Sequence, residues 1–312
     1  MGTSMRVAVY GPGAVGGYFG GRLAQAGVDV TFIARGAHLQ AIRARGLRVE
    51  SLQGDFTIEP AQATGDPGAV GIVDLVILGV KAWQVPDAAR AIRPMIGPAT
   101  IVLPLQNGVD AARMLTDVLG VGPVVGGLCR IMGTIVASGI IRHEGAVPYL
   151  AFGELSRPPG GRLERLRQLF TKAEGMHAEV VENIEAALWN KFLLIAPWSG
   201  VGAVTRSPIG VIRDLPETRA LLEGAMQEVF DLAVAQHINL PPDAVVKMMA
   251  FVAKLPAAGV ASMQRDVLAG RPSELHDQPG AVHRLGRELG VPTPVNSFVY
   301  SSLLPLEHKA RG

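Results

Sequence analysis

The sequence predicts an α/β protein in which a doubly wound parallel sheet with an antiparallel extension is followed by an all-helical domain. Three observations lead to this prediction. Short β-branched strands alternate with helical patterns in the N-terminal part, and a glycine-rich turn directly follows the first strand. Beyond Asn183 strand patterns cease and helical patterns continue to the end. We therefore divide the chain into an α/β domain, residues 5–182, and a helical domain, residues 183–312.

The composition is that of a compact protein with a substantial core. The 312 residues suffice for two ordinary domains, and 48% are hydrophobic while 18% are charged. A net charge of +2 gives no basic surface for nucleic acid, and no apolar run is long enough for a bilayer, so we predict neither partner. The single cysteine, Cys129, excludes an internal disulfide and a cysteine-based metal site. Since no secretory signal precedes the first strand, we expect a cytoplasmic protein.

The first strand and the turn after it carry the clearest chemical signal. Arg6–Tyr10 is an apolar, β-branched run that is typical of a buried strand. It leads directly into a G-x-G-x-x-G motif, which reads Gly11, Pro12, Gly13, Ala14, Val15, Gly16. A helix is predicted to about Ala26, and residues 28–33 form the second strand. This strand–turn–helix–strand context predicts a Rossmann-type dinucleotide site, with a merely glycine-rich turn as the alternative.

Each glycine of the motif has a physical reason. Gly11 permits the tight turn, Gly13 leaves room for a pyrophosphate, and Gly16 lets the helix lie close to the strand. The helix N-terminus adds free N–H groups and a partial positive charge. The second strand ends at Arg35, where an NAD site usually has an acid, and an arginine would bind a 2′-phosphate. We therefore predict NADP(H), although Arg35 could also be an ordinary surface arginine.

The rest of the first domain continues the alternation of strands and helices. We predict a helix at 38–44, a hairpin of 47–51 and 56–59, a strand at 74–80, a helix from 81 to 93, and a strand at 100–103 followed by a helix. Glycine turns then separate four short strands, 124–127, 131–136, 140–143 and 147–150, which we interpret as the antiparallel extension. A helix to about residue 172 and a strand at 179–181 complete this domain.

The second domain is predicted to be helical throughout. Its helices cover residues 185–197, 217–236, 241–254, 274–290 and 296–304. An apolar helical domain of this kind often mediates dimerisation, so a homodimer is one possible assembly of this protein. The histidines are scattered and none has the i, i+4 spacing of a metal site, so we predict no metal.

Five stretches, in order and at plausible spacing, resemble the ketopantoate reductase (2-dehydropantoate 2-reductase) family over essentially the whole chain. They are residues 11–16 with Arg35, residues 80–85 (VKAWQV), residues 106–108 (QNG), residues 188–191 (LWNK), and residues 262–266 (SMQRD) with 270–274 (GRPSE). The resemblance implies a Rossmann domain joined to a helical domain like that of 6-phosphogluconate dehydrogenase. It also implies NADPH-dependent reduction of 2-dehydropantoate to pantoate, a step of pantothenate and coenzyme A biosynthesis.

The resemblance also implies roles for single residues of the helical domain. Lys191 matches the family's catalytic acid, whose ammonium attracts the developing oxyanion and then gives up a proton. Glu274 matches a glutamate that contacts the substrate and positions the lysine, and Ser262 matches a serine that hydrogen-bonds the substrate. The alternatives are a structural ion pair for Lys191, a first-turn helix acid for Glu274, and a helix cap for Ser262.

Lys81 and Asn107 follow two strands of the predicted parallel sheet, at the carboxyl ends where ligands bind. By resemblance, Asn107 contacts both the cofactor and the substrate, and Lys81 lies near the cofactor. Ordinary loop chemistry is the alternative for both, because Asn-Gly is a common turn and a lysine often opens a helix.

Two positions depart from the family pattern. Well-studied members carry substrate-binding asparagines four and eight residues after the lysine, where this chain has Ile195 and Ser199. Ile195 cannot hydrogen-bond a ligand, and Ser199 can do so only with a shorter reach. Either another residue replaces them or the substrate is a less polar 2-keto acid. The alternatives to ketopantoate reduction are therefore a paralogous reductase of another 2-keto acid and a non-catalytic NADP-binding sensor.

Overall fold

The computed structural model describes residues 5–155 and 160–312, which divide into two compact units. The first unit comprises the residues up to Gln106 together with Asp110–Ile184, and the second comprises Asn107–Val109 and Glu185–Gly312. The predicted fold class is confirmed, since a parallel sheet with helices precedes a helical unit. Within the described ranges, none of the helices combines the length and the apolar character needed to cross a membrane.

Strands and helices are numbered in chain order. The strands are β1 (Arg6–Tyr10), β2 (Asp29–Ile33), β3 (Leu47–Ser51), β4 (Phe56–Ile58), β5 (Gln62–Thr64), β6 (Leu75–Leu78), β7 (Ile101–Pro104), β8 (Gly126–Ala137), β9 (Ile140–Gly153) and β10 (His177–Val180). The helices are α1 (Ala14–Gln25), α2 (Gly36–Arg45), α3 (Val85–Ala91), α4 (Ala111–Leu119), α5 (Gly161–Phe170), α6 (Ile184–Thr205), α7 (Ile209–Asp214), α8 (Pro216–Ala235), α9 (Ala244–Val252), α10 (Ser262–Leu268), α11 (Pro279–Leu289) and α12 (Pro294–Arg311).

The parallel sheet of the first unit has the strand order β5-β2-β1-β6-β7. β1 is central, and its last residue, Tyr10, pairs with Ile33 of β2 and Leu78 of β6. Every residue of β6 and β7 is buried, as expected for strands covered by helices on both faces. β5 was not predicted, because its short sequence Gln-Ala-Thr carries no hydrophobic pattern. The carboxyl ends of β1, β2, β6 and β7 lie at one edge of this sheet.

The predicted antiparallel extension is instead a second sheet. β8 and β9 form one long hairpin where four short strands were predicted, because the glycines at 133 and 145 lie within the strands and do not end them. The sheet order is β10-β9-β3-β4, with β8 also on β9. β7 contacts this segment through a single parallel bridge between Val102 and Val124. From Gly126 onward the chain pairs with β9, so the two sheets separate there.

Helix α1 packs against β1 through glycines. A Cβ on Gly16 would lie 2.4 Å from the Gly11 carbonyl oxygen, and one on Gly20 would lie 2.4 Å from the Val9 side chain. α1 also buries the large side chains of Tyr18, Phe19 and Leu23. The helix therefore approaches the sheet more closely than any other residue type would allow.

The second unit is helical as predicted, but its helices α7 and α10 were not predicted, and other helices differ from the prediction in their ends. α6 runs to Thr205, beyond the predicted end at Pro197, because its apolar side chains are buried on both sides of that proline. The helix predicted from Glu274 begins instead at Pro279. Gln278 has φ −114° and ψ −98°, outside the helical region that a following proline disfavours. Residues 274–278 are therefore a turn, so Glu274 is not a first-turn helix acid.

We predict that Gly20→Ala destabilises the protein, because a methyl group would clash with Val9 and with Phe32, 3.1 Å away. The expected loss is about 1–3 kcal/mol of unfolding free energy, the usual effect of overpacking. Gly161→Ala, on the same unit, is the control, since its Cβ would meet nothing within 4 Å. It should change stability by less than about 0.5 kcal/mol. Urea denaturation measures both, and equal effects would contradict the packing argument.

Candidate active site

The turn between β1 and α1 can accept an anion. Gly11 has φ +85°, a conformation that other residues rarely adopt, and its N–H donates to the Ile33 carbonyl at 3.0 Å. Gly13 is the N-cap of α1 and contributes no side chain. A Cβ there would come no closer than 3.8 Å to protein, at Ile135 Cδ1, so the space beside the helix N-terminus is open. This geometry fits a pyrophosphate approaching the backbone N–H groups.

Arg35 ends the segment after β2 and is exposed. Its guanidinium donates to the Tyr10 hydroxyl at 3.0 Å, so a side chain at the end of β1 holds it. One turn later His38 bonds the glycine turn: its Nε2 lies 2.8 Å from the Pro12 carbonyl oxygen, and its Nδ1 accepts from the Gly139 N–H at 3.0 Å. His38 was not predicted, because the contact with Gly139 spans 101 residues of sequence.

Lys81 lies just after β6, at the start of a short 3-10 helix, and is half-buried. Its Nζ is 5.8 Å from the centre of the Trp83 ring. Gln106, just after β7, donates its amide to the carbonyl oxygens of Leu78 (2.8 Å) and Val80 (3.0 Å). The structure thus ties the carboxyl ends of β6 and β7 together at the edge where the glycine turn also lies.

In the second unit, the predicted residues Asn107 and Glu274 meet. Glu274 is 4% exposed, and its Oε2 accepts from Asn107 Nδ2 at 3.2 Å and from Gln278 Nε2 at 3.1 Å. Two amide donors thus satisfy one oxygen of this buried carboxylate. The backbone of the Asn107 turn is close too, because a Cβ on Gly108 would be 2.9 Å from the Asp277 carbonyl oxygen. Gln278 was missed by the sequence prediction, since its role depends on the turn that precedes α11.

Lys191 belongs to the same unit, on α6, and is half-buried. Partial burial lowers the pKa of His276, and the Arg311 guanidinium lowers it further. The lowered pKa favours the neutral ring of His276, whose Nδ1 lies 3.0 Å from the Tyr300 hydroxyl. Lys191 and Glu274 give the second unit a half-buried lysine and a buried carboxyl group, a combination typical of acid–base sites.

The other predicted substrate residues have different surroundings. Ser262 is the first residue of α10, and Ala261 occupies the N-cap, so Ser262 is not the capping residue. Ser199 is fully buried, and its hydroxyl has no hydrogen-bond partner among the described residues. Ile195 is half-buried. Like the Ser199 hydroxyl, one buried side-chain atom in each of Trp198, Gln264 and Gln278 has no hydrogen-bond partner in the part of the chain that the structure describes. These polar atoms are buried, so a ligand could bond to them only if they became accessible.

Within the described residues, no group of three or more histidine, cysteine, aspartate or glutamate side chains could hold a metal ion.

Two family descriptions match this chain. Residues 7–157 match "Ketopantoate reductase PanE/ApbA", and residues 183–307 match "Ketopantoate reductase PanE/ApbA C terminal". The two matches together span most of both units.

Individual proteins are similar over nearly the full length. The 2-dehydropantoate 2-reductase of Mesorhizobium japonicum is 30% identical, over 93% of this chain and 94% of that protein. The uncharacterized oxidoreductase YkpB of Bacillus subtilis is 29% identical, over 96% and 98%. The crystal structure of a PanE/ApbA family ketopantoate reductase from Ralstonia eutropha JMP134 has a TM-score of 0.90 at 33% identity, over 99% of this chain and 100% of that chain.

We predict that Gly13→Ala weakens dinucleotide binding without unfolding the protein. Alanine fits the backbone of Gly13 (φ −74°, ψ −160°) and meets no protein atom within 3.8 Å, but its methyl group occupies the space offered to the pyrophosphate. The dissociation constant for NADPH, from fluorescence titration, should rise about tenfold or more. The melting temperature without ligand should stay that of the wild type. Unchanged affinity for NADPH would contradict binding of the pyrophosphate at this turn.

Proposed function

Because the chain belongs to the PanE/ApbA ketopantoate reductase family, we propose that it reduces 2-dehydropantoate to pantoate with NADPH. That it is an oxidoreductase of this family follows from the two family matches. The observation that most supports the specific reaction is the buried Glu274 carboxylate, held by Asn107 and Gln278 in the unit that carries Lys191. A reductase needs such an acid–base pair, whereas a protein that only binds a dinucleotide does not.

The first unit would hold the cofactor, whose reduced nicotinamide supplies the hydride when bound. The open turn at Gly13 and the N-terminus of α1 fit the pyrophosphate. Arg35, which Tyr10 orients, is placed after β2 for a 2′-phosphate, and no acid at this position would repel that group. Lys81, at the same edge of the sheet, would add positive charge near the cofactor.

The second unit would supply the proton. The carbonyl carbon of the substrate gains the hydride, and its oxygen develops negative charge as the C=O double bond becomes single. The Lys191 ammonium stabilises this oxygen and transfers a proton to it, which gives the alcohol and a neutral amine. Glu274 favours the protonated lysine before the reaction and helps the amine regain a proton from water afterwards.

Substrate recognition would involve Asn107 and Ser262 besides Lys191 and Glu274. Asn107 uses one N–H of its Nδ2 on Glu274, so its second N–H and its carbonyl oxygen remain to contact the cofactor or the substrate. Ser262, as the first residue of α10, would offer its hydroxyl to the substrate. Ser199 could bind the substrate only if its buried hydroxyl became accessible.

A second candidate is the reduction of a less polar 2-keto acid, and Ile195 with Ser199 favours it. An isoleucine offers no hydrogen bond, and the Ser199 side chain is fully buried. A substrate hydroxyl left without a partner costs on the order of 1–3 kcal/mol. Ketopantoate carries such a hydroxyl, whereas a 2-keto acid with a hydrocarbon side chain does not.

We expect Lys191→Ala to reduce kcat about 100-fold or more, since a positioned general acid contributes roughly 10²–10⁴-fold. NADPH oxidation at 340 nm measures this with ketopantoate and a panel of other 2-keto acids. Lys247→Ala is the matched control, because Lys247 is exposed on α9 and pairs only weakly with Asp243. It should retain wild-type kcat.

The panel also separates the candidates. Turnover of ketopantoate above the other acids supports the first, and turnover of apolar 2-keto acids alone supports the second. Binding of NADPH without turnover of any 2-keto acid would contradict both and favour a non-catalytic NADP-binding sensor.

Arg35→Ala should lower the preference for NADPH over NADH. Removing the guanidinium removes the charge-assisted bonds to a 2′-phosphate, so KM for NADPH should rise about tenfold or more while KM for NADH changes little. Arg45→Ala, on the same helix and exposed, controls for general loss of positive charge. Equal rises in KM for NADPH and for NADH would contradict binding of the 2′-phosphate by Arg35.

A further inference from the structure

The turn that carries Glu274 is bonded to a second buried carboxylate, Glu307 of α12. Glu307 is 2% exposed. Its oxygens accept from the Ser273 N–H at 3.0 and 3.1 Å and from the Ser273 hydroxyl at 2.5 Å. Arg311 donates to Glu307 at 2.6 Å and to the Ser273 carbonyl oxygen at 3.0 Å. Every polar group of Ser273 is therefore bonded to α12.

These bonds fix the two residues on either side of Glu274. Ser273 precedes it directly, and the Ser273 hydroxyl also accepts from the Leu275 N–H, 3.3 Å away, directly after it. Leu275 is fully buried and packs in one apolar cluster with Val299 and Leu303 of α12. Ser273 cannot move without breaking its bonds to Glu307 and Arg311, and Leu275 cannot move without leaving that cluster.

The turn itself provides less restraint. Residues 274–278 are not helical, and their internal backbone bonds run from the N–H groups of Asp277 and Gln278 to the Glu274 carbonyl oxygen. Those bonds set the shape of the turn, but they do not fix its position relative to Asn107. The hydrogen bond from Asn107 Nδ2 to Glu274 is already 3.2 Å, so a small displacement would break it.

We propose that Glu307 is a positioning residue, which acts through Ser273 to hold the Glu274 carboxylate against Asn107 and Gln278. Its own charge is offset by Arg311 and by the Ser273 donors, so Glu307 does not itself serve as the acid–base group. The proposal rests on the proposed function, in which Glu274 keeps Lys191 protonated. Side chains 34 residues apart in sequence would thereby control one catalytic carboxylate.

The test compares Glu307→Gln with a matched variant at the other end of α12. Glu228 is also buried, 6% exposed, and accepts from the N–H groups of Val295 and Asn296 at 2.6 and 2.9 Å. Glu228→Gln removes a buried charge of the same kind without bonds to residues 273–278. Both variants should lower the melting temperature. Only Glu307→Gln should lower kcat, by about tenfold, with KM for NADPH unchanged.

A double-mutant cycle separates positioning from general structural support. In a Glu274→Gln background, adding Glu307→Gln should cause no further loss of kcat, because the group that it positions is already absent. An equal fold loss in both backgrounds would overturn the proposal, and so would unchanged kcat in Glu307→Gln itself.

Crystal structures of wild type and Glu307→Gln give a readout that does not depend on activity. We expect the hydrogen bond from Asn107 to Glu274 to be lost in the variant and kept in Glu228→Gln. A Glu274 carboxylate that stays in place in Glu307→Gln would overturn the proposal even if the enzyme is active. If wild type reduces no 2-keto acid, the proposed function fails, and the Glu274 position alone decides whether Glu307 holds this turn.

Discussion

The carboxyl group of Glu274 is buried, so protein donors must replace the water that it loses, because a buried polar group without a partner destabilises the fold. Much of the second unit is arranged around this requirement. The Asn107–Gly108 turn supplies one amide, and only glycine fits where residue 108, with φ +99°, approaches the Asp277 carbonyl oxygen. The turn before α11 supplies the second amide through Gln278. We propose the Lys191 ammonium as a third partner of the Glu274 carboxylate, besides the two amides.

The first unit meets a different constraint, the close approach of backbone to backbone. Gly16 and Gly20 bring α1 against β1, and this approach presents the helix N-terminus beside the open space at Gly13. His38 and Arg35 then fix the surroundings through the Pro12 carbonyl oxygen and the Tyr10 hydroxyl. The first unit thus offers a backbone site suited to phosphates, and the second offers side chains suited to proton transfer.

Local signals account for what could be predicted from the sequence. The bounds of β1 and β2 and the C-terminal end of α1 were predicted to within one residue, because strand and helix periods and the glycine spacing are local properties. Non-local pairing was not predictable: β8 and β9 continue through their glycines because they pair with each other, and β3 joins their sheet rather than the parallel one. For the same reason the sequence indicated Glu274 and Asn107 but not Gln278 or Glu307. Their roles depend on contacts that only the folded chain creates.

The central claim is that this chain transfers hydride from NADPH to ketopantoate. The most direct test incubates the protein and ketopantoate with NADPH deuterated at either face of nicotinamide C4, and analyses the product by mass spectrometry. With one of the two labelled cofactors, pantoate should carry a single deuterium on C2, and Lys191→Ala should form no labelled pantoate on the same timescale. Pantoate that stays unlabelled with both cofactors would contradict direct hydride transfer, and label found only in the 2-hydroxy acid formed from another 2-keto acid would contradict ketopantoate as the substrate.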